Sequence, residues 1–302
     1  MIEIKDLSCS YKESRDMYVF GADIDKEDLC QIHILKHLSF IIRPGNVYGL
    51  IGRNGAGKTT LLNCICGILR PKGIFIDGQH FNGANPKMLA RIFMVTDVIP
   101  DIHVKACKYA SMLSCMYPNF SMGLFQESMK QFQMDTDGFI DTLSLGQRKM
   151  VFLSLAFASG APYIVLDEPT NGLDITSRKV FRKLVASNMT DERAIIISTH
   201  HINEVSTLLD HIFILNDKRM VFDHPAMEIG STLSFVESDN ENSAKNALYT
   251  LSSAYGKRMI QPNTTGTDSE IDYELLFEAV LENPVLINSQ FANNICNNYG
   301  NQ

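Results

Sequence analysis

The sequence has no excess of basic residues and no run of lysine or arginine. Its 302 residues include 27 Lys and Arg against 34 Asp and Glu, which gives a formal net charge of −7. Proteins that bind nucleic acids without sequence preference neutralise the backbone phosphates with a basic surface. We therefore expect no nucleic-acid partner for this chain.

Long apolar segments are also missing. A helix that spans a bilayer needs about 20 consecutive apolar residues, and the longest candidate, residues 150–158, is only about half that length. The first residues have neither the basic start nor the long apolar centre of a secretory signal. We expect no cleaved leader, no spanning helix and a cytoplasmic location.

The cysteines do not form a recognisable framework. There are seven, an odd number, and none has the C-x₂-C spacing of a zinc site. Reduced thiols in a cytoplasmic protein are the simplest interpretation. A hydrophobic content of 45% and a charged content of 20% are typical of a globular protein with a full core.

What the sequence does contain is a phosphate-binding loop. Residues 52–59, GRNGAGKT, match the pattern G-x-x-x-x-G-K-[ST] and lie between an apolar strand, residues 47–51, and a helix-like run. Glycines let several backbone N–H groups point at phosphate oxygens, and the helix start adds partial positive charge. The residues that would bind the nucleotide here are Asn54, Gly55, Ala56, Gly57, Lys58, Thr59 and Thr60.

Two acids follow another apolar strand. Residues 163–166 lead into Asp167 and Glu168, and open α/β sheets bind ligands at the carboxyl ends of their strands. Asp167 is suited to hold Mg²⁺ together with the Thr59 hydroxyl, while Glu168 is suited to orient or deprotonate the attacking water.

A second candidate anion site precedes the acid pair. Residues 143–147, LSLGQ, lie ahead of a long amphipathic run, so Ser144 and the free N–H groups of a helix start could bind an anion. Taken alone, this pattern is more typical of an ordinary helix cap than of an anion site, and what favours the anion site is its position before the acid pair.

The order of elements predicts an α/β protein with a mainly parallel sheet. Short apolar strands alternate with helix-length segments on both sides of residues 98–150, which have helical spacing and many Met, Phe and Tyr residues. We predict a domain at 1–230 and a partly helical extension at 231–302 with a helix near 273–281 and a frayed, Asn-rich end. Two segments are polar: residues 12–30 are predicted as an inserted loop or hairpin, and residues 237–243 as a linker or long loop.

The motifs occur in the order GRNGAGKT, LSLGQ, YIVLDEP, NGLD and STH, within residues 2–222. In this order they resemble the nucleotide-binding subunit of an ATP-binding cassette (ABC) transporter, of the exporter type whose membrane permease is a separate chain. The resemblance implies a P-loop NTPase (RecA-like) core with a mainly parallel sheet. It also implies an N-terminal antiparallel β-subdomain and an inserted α-helical subdomain at about 98–150.

The resemblance also implies a two-fold homodimer with ATP at the interface, in which the LSLGQ segment of one subunit faces the phosphate loop of the other. Ser144, Gly146 and Gln147 would then contact the partner's nucleotide, and Asp174 of NGLD would cross the interface. Two further roles are implied by position in the motif order. Tyr11 would stack on adenine, and His200 of STH would sense the γ-phosphate and assist Glu168.

One position departs from the family's pattern. After the strand that precedes the helical region, where the family usually has Gln, this chain has Asp97. A carboxylate could bind Mg²⁺ more strongly than an amide, but it also adds negative charge beside the phosphates. We predict Asp97 as a third metal ligand, with Thr59 and Asp167, and leave its role in coupling open.

The resemblance implies a Mg²⁺-dependent ATPase that energises a membrane permease and is held at the inner face of the cell membrane by that permease. The alternative is a non-transport ABC ATPase of the cell-division or regulatory type. A chromosome-type ATPase is disfavoured because the stretch between Lys58 and Ser144 is short and contains no heptads. The transported substrate is not predicted.

Overall fold

The computed structural model describes residues 1–12, 31–70, 72–238, 247–253 and 256–297. The acidic segment predicted as a loop at 12–30 lies almost wholly outside these residues. In chain order the strands are β1 (Ile2–Lys12), β2 (Gln31–Ile42), β3 (Val47–Ile51), β4 (Ile74–Ile76), β5 (Gln79–His80), β6 (Ile92–Val95), β7 (Tyr163–Asp167), β8 (Ala194–Thr199), β9 (His211–Asn216), β10 (Arg219–Pro225), β11 (Leu233–Ser238), β12 (Tyr249–Ser253) and β13 (Gly256–Pro262).

Helices connect and cover these strands. In chain order they are α1 (Lys58–Ile65), α2 (Pro86–Leu89), α3 (Ala106–Ser114), α4 (Met122–Gln131), α5 (Leu145–Ala158), α6 (Ile175–Asn188), α7 (Ala226–Thr232), α8 (Tyr273–Glu282) and α9 (Pro284–Asn297). Within the described ranges, no helix combines the length and the apolar character that a bilayer crossing requires.

A six-stranded sheet of order β10-β9-β3-β8-β7-β6 lies at the centre of the described residues. All neighbours in it pair in parallel except β9 with β10. The carboxyl ends of β3, β6, β7 and β8 therefore lie along one edge, and the phosphate loop, Asp97, the acid pair and His200 each follow one of these strands.

The central strands are buried on both faces, as parallel strands covered by other layers are. Alternation along β7 sends Ile164 and Leu166 into one apolar cluster and Tyr163 and Val165 into another. The first cluster contains α5, α6 and the C-terminal elements, and the second contains α1 and an antiparallel sheet of order β2-β1-β4-β5. The predicted fold, a mainly parallel core with an antiparallel β-sheet and a helical region, is confirmed.

The helical region begins with α3 and α4 and continues into α5. Phe125 and Met129 on α4 are fully buried, and from Met150 to Ala158 every residue of α5 is buried. A helix that is apolar all round is a core helix. Burial in the core therefore accounts for the apolar run at 150–158, which is too short to cross a membrane.

The C-terminal part contains more regular structure than the predicted extension, whose helix near 273–281 is found as α8. Strands β11, β13 and β12 form an antiparallel sheet that the sequence did not predict, and β11 includes the start of the segment predicted as a linker. The Asn-rich end is helix α9 as far as Asn297, with Ile287 and Phe291 buried in the same apolar cluster as the central sheet.

Candidate active site

The phosphate loop joins β3 to α1, which begins at Lys58. Gly57, just before the helix, has φ +107°, and a Cβ there would lie 2.9 Å from the Leu35 side chain and 3.0 Å from the Ile34 carbonyl oxygen. Both the backbone angle and the close packing require glycine at this position.

The Lys58 ammonium binds backbone carbonyl oxygens of its own loop. Its Nζ donates to the Gly52 carbonyl oxygen at 2.6 Å and lies 4.0 Å from Glu168 Oε1. Burial lowers the pKa of Lys58, while the nearby Glu168 and Asp167 carboxylates act in the opposite direction. The nearby carboxylates favour the charged form of Lys58, and a lysine cation held in a cleft is suited to bind phosphate oxygens.

Asp167 ends β7 and is almost fully buried. Its Oδ2 accepts a hydrogen bond from the Thr59 hydroxyl at 2.7 Å, and its Oδ1 accepts one from the Ser198 hydroxyl. Ser198 lies opposite Asp167 in the β7–β8 register. Ser198 is the first residue of STH, but its contact with Asp167 could not be predicted from the sequence, because only the pairing of two distant strands brings them together.

Glu168 has an unusual backbone conformation for a residue with a side chain. Its φ is +46°, in the left-handed region, where residues other than Gly and Asn are uncommon and which often marks a functional site. Its N–H donates to the Ser198 carbonyl oxygen at 3.0 Å. The buried carboxylate lies 2.8 Å from His200 Nδ1, so the two residues predicted to act in hydrolysis are in direct contact.

Asp97 follows β6 and lines the same cleft as Thr59, Asp167 and Glu168. One oxygen of its carboxylate, Oδ1, accepts from Lys149 Nζ at 3.0 Å and from the Asn171 amide at 3.2 Å. Neither contact was predicted from the sequence. A signal for Lys149 was present, since it follows Arg148 directly at the start of an otherwise apolar helical run.

The cleft formed by these groups has a volume of about 360 Å³. Its polar wall contains the phosphate loop from Arg53 to Thr60 apart from Ala56, the acid pair and Asp97. His200 lines an adjoining cavity of about 450 Å³ together with Gly52, Arg53 and Asn54. Cavities of this size are in the range that small-molecule ligands occupy.

The LSLGQ segment does not line this cleft. Ser144 is the N-cap of α5, and it forms a capping box in which its hydroxyl accepts from the Gln147 N–H at 3.2 Å and its own N–H donates to Gln147 Oε1 at 3.0 Å. Both side chains are exposed. The cap interpretation is therefore correct as far as local structure goes, and the segment presents an exposed helix N-terminus.

Gly146 connects this segment to NGLD. A Cβ on Gly146 would lie 2.3 Å from the Gly172 carbonyl oxygen, so the two backbones touch. Asp174, just beyond, is the exposed N-cap of α6; its Oδ1 accepts from the Ser177 N–H at 2.7 Å, and this contact lowers the pKa of Asp174. LSLGQ and NGLD thus form one exposed surface.

Tyr11 lies near the end of β1, where its backbone pairs with Ile32. Its side chain is outside the described part of the chain, so its contact with adenine stays a prediction.

A family model and individual relatives of known name point to the same protein family. A family model described as "ABC transporter" matches residues 35–171. The bacitracin transport ATP-binding protein BcrA of Bacillus licheniformis is 30% identical over 215 residues, which are 67% of this chain and 70% of BcrA. The arabinose import ATP-binding protein AraG of Paraburkholderia xenovorans (strain LB400) is 31% identical over 214 residues, which are 65% of this chain but only 41% of AraG.

Solved structures agree on the fold. A putative cobalt transport ATP-binding protein superposes with a TM-score of 0.62 at 23% identity, covering 89% of this chain and 95% of its own. An ATP-binding cassette solved as a dimer in a post-hydrolysis state with ADP and Pi gives a TM-score of 0.60 at 22% identity, covering 74% of this chain and 98% of its own.

Proposed function

The chain belongs to the ABC transporter family as an ATP-binding subunit, and from that premise we propose that it hydrolyses ATP as a homodimer to energise a separate membrane permease. One observation carries the hydrolytic part of this proposal. The carboxyl edge of a single sheet brings together a phosphate loop, an acid with a hydroxyl partner (Asp167 with Thr59) and a buried glutamate held by a histidine (Glu168 with His200).

The triphosphate would bind at the loop. Backbone N–H groups of residues 54–60 and the positive end of α1 favour an anion, and Lys58 can exchange its loop carbonyl acceptors for phosphate oxygens. Because Lys58 is already positioned in the cleft, little side-chain freedom is lost when the nucleotide binds.

The donor set fits Mg²⁺. Thr59 and Asp167 present oxygen ligands to the cleft, and Asp97 lines the same wall. Mg²⁺ usually keeps several waters and takes substrate phosphate oxygens as ligands, so one or two protein oxygens are enough. Bound there, Mg²⁺ would neutralise charge that develops on the phosphates.

Glu168 would orient and deprotonate the attacking water. Its carboxylate is buried at the cleft wall, and His200 Nδ1 lies 2.8 Å from one oxygen. The other oxygen accepts a longer hydrogen bond, 3.4 Å, from the His200 backbone N–H. His200 is 35% exposed, so it can contact Glu168 and a γ-phosphate at the mouth of the cleft.

The dimer is supported by the exposed LSLGQ and NGLD surface. Ser144 and Gln147 satisfy each other and stay outside the chain's own cleft, so a nucleotide that touches them must be bound by another copy. A two-fold arrangement would supply this contact twice. The permease and the position at the inner face of the membrane are proposed from the names of the relatives, which are transport ATP-binding proteins.

The test is Mg²⁺-dependent phosphate release with Glu168→Gln. We expect kcat to fall by about 100-fold or more, the usual contribution of a general base, while the Kd for ATP changes by less than about threefold. The matched control is Glu127→Gln, an exposed glutamate on α4, which should keep the activity. A Glu168→Gln variant with normal kcat would contradict the assignment.

A further inference from the structure

A buried lysine joins two parts of the site that the hydrolytic mechanism does not connect. Lys149, on the second turn of α5, is 0% exposed. Its Nζ donates to Asp97 Oδ1 at 3.0 Å and to the backbone carbonyl oxygen of Glu168 at 2.8 Å. The same ammonium therefore contacts the segment after β6 and the backbone of the residue proposed as the base.

A charge in this position requires partners. Burying an ammonium without an opposite charge and hydrogen bonds is strongly unfavourable, so the location of Lys149 depends on Asp97. Asp97 is 46% exposed and keeps contact with solvent, and Asn171 donates to the same oxygen at 3.2 Å. In this ion pair Lys149 is the buried partner, next to the Glu168 backbone, and Asp97 is the solvated partner, at the cleft.

Glu168 requires external support for its backbone. A φ of +46° is unfavourable for a glutamate and persists only when surrounding contacts fix it. On one side the Glu168 N–H donates to Ser198, and on the other the Glu168 carbonyl oxygen accepts from the Asn171 N–H at 3.2 Å and from Lys149. The lysine contact is the charge-assisted one of the three, and such hydrogen bonds are the stronger kind.

We propose that Lys149 is a positioning residue that holds Glu168 in its hydrolytic conformation, and that Asp97 acts on hydrolysis as the counter-ion of Lys149. This inference rests on the proposed function of Glu168. It also accounts for the acid at position 97: the negative charge that an aspartate adds to the cleft is balanced by a lysine 3.0 Å away.

A double-mutant cycle tests both halves of the proposal. The variants are Lys149→Met, Asp97→Asn and the double variant, with kcat, KM for ATP, the Mg²⁺ concentration for half-maximal activity and Tm measured for each. In Lys149→Met we expect kcat to fall about 10- to 100-fold while KM changes by less than about threefold, because small displacements of a reacting group have effects of this size. Asp97→Asn in the Lys149→Met background should then cost no more than about twofold in kcat.

Each half can fail separately. If Lys149→Met keeps kcat, or raises KM and leaves kcat unchanged, the positioning role is wrong. If Asp97→Asn lowers kcat, or raises the Mg²⁺ requirement, by the same factor in both backgrounds, Asp97 acts as an independent ligand and the counter-ion role is wrong. Arg193→Met is the control for the loss of a partly buried cation away from the cleft: Arg193 donates to the Asn188 carbonyl oxygen at 2.7 Å, just before β8 and at the opposite edge of the sheet. It should lower Tm without lowering kcat.

Lys149→Gln, which removes the charge-assisted contact but keeps a polar side chain at the buried position, covers the case in which Lys149→Met does not fold. Crystal structures of the wild type and Lys149→Gln give a readout that does not depend on hydrolysis. We expect Glu168 in the variant to leave the positive-φ region or to lose its His200 contact. An unmoved Glu168 would overturn the proposal, whereas a wild-type protein without ATPase activity would instead overturn the proposed function.

Discussion

At the scale of single residues, Asp167 is the most constrained group of the site. Its two oxygens accept from two hydroxyls, Thr59 on α1 and Ser198 on β8, which fixes the plane of the carboxylate. The placement of the phosphate loop, the acid pair and His200 at one edge of the sheet could be predicted from sequence, since each is a local motif at a strand end. The contacts of Ser198, Lys149 and Asn171 could not be predicted, because they depend on strand register and on where α5 packs. This holds even though Ser198 belongs to STH and Asn171 to NGLD.

We expect Ser198→Ala to lower the affinity of the site for Mg²⁺. Without the Ser198 hydroxyl, Asp167 can rotate away from Thr59, so the Mg²⁺ concentration for half-maximal ATPase activity should rise by about three- to tenfold, the equivalent of one hydrogen bond of about 1 kcal/mol. Ser154→Ala is the control, because Ser154 is equally buried but donates to Met150 within α5. An unchanged Mg²⁺ requirement in Ser198→Ala would mean that Thr59 alone orients the acid.

At the scale of elements, two serines begin two helices in the same way. Ser144 caps α5 and Ser121 caps α4, each accepting a backbone N–H three residues ahead at 3.2 Å. As caps they should contribute similarly to stability. They differ in function only if the N-terminus of α5 also binds the nucleotide of another copy.

Replacing each serine by alanine separates the two roles. Both Ser144→Ala and Ser121→Ala should lower the free energy of unfolding by about 1 kcal/mol, measured by urea denaturation. Only Ser144→Ala should also lower the ATPase rate, by about tenfold, because it alone removes a donor to phosphate. Equal ATPase activity in the two variants would show that Ser144 only caps α5 and does not bind a nucleotide.

The elements themselves were predictable to different degrees. Strands β3, β7 and β8 are short apolar runs bounded by turns and glycines, and their parallel pairing follows from the helices between them. Strands β11 to β13 were missed because they are half-exposed, polar antiparallel strands without a strong period. Their existence depends on packing rather than on local sequence.

At the scale of the whole molecule, the C-terminal elements share a core with the central sheet. Leu275 and Leu276 on α8 and Ile260 on β13 belong to the same apolar cluster as Ile195 and Ile197 of β8. In addition, α8 contacts the loop after His200, where Asn203 donates to Glu274 at 2.6 Å. The predicted boundary near residue 230 therefore does not divide the core.

We expect Leu276→Ala to destabilise the entire molecule. Leu276 is 1% exposed, and truncating a buried leucine costs about 2–5 kcal/mol of unfolding free energy. Urea unfolding should remain a single transition that moves to lower concentration. Val285→Ala, at a position 78% exposed, should change stability by no more than about 0.5 kcal/mol. A second transition limited to residues 231–297 would show that the C-terminal part folds independently.

The central claim is that a second copy of the chain completes each site. Light scattering of Glu168→Gln with ATP and Mg²⁺ tests it most directly, because blocked hydrolysis should keep the nucleotide between the two copies. We predict the mass of two chains with ATP, and of one chain without nucleotide. A single-chain mass for ATP-bound Glu168→Gln, together with full ATPase activity of a monomeric wild type, would contradict the account.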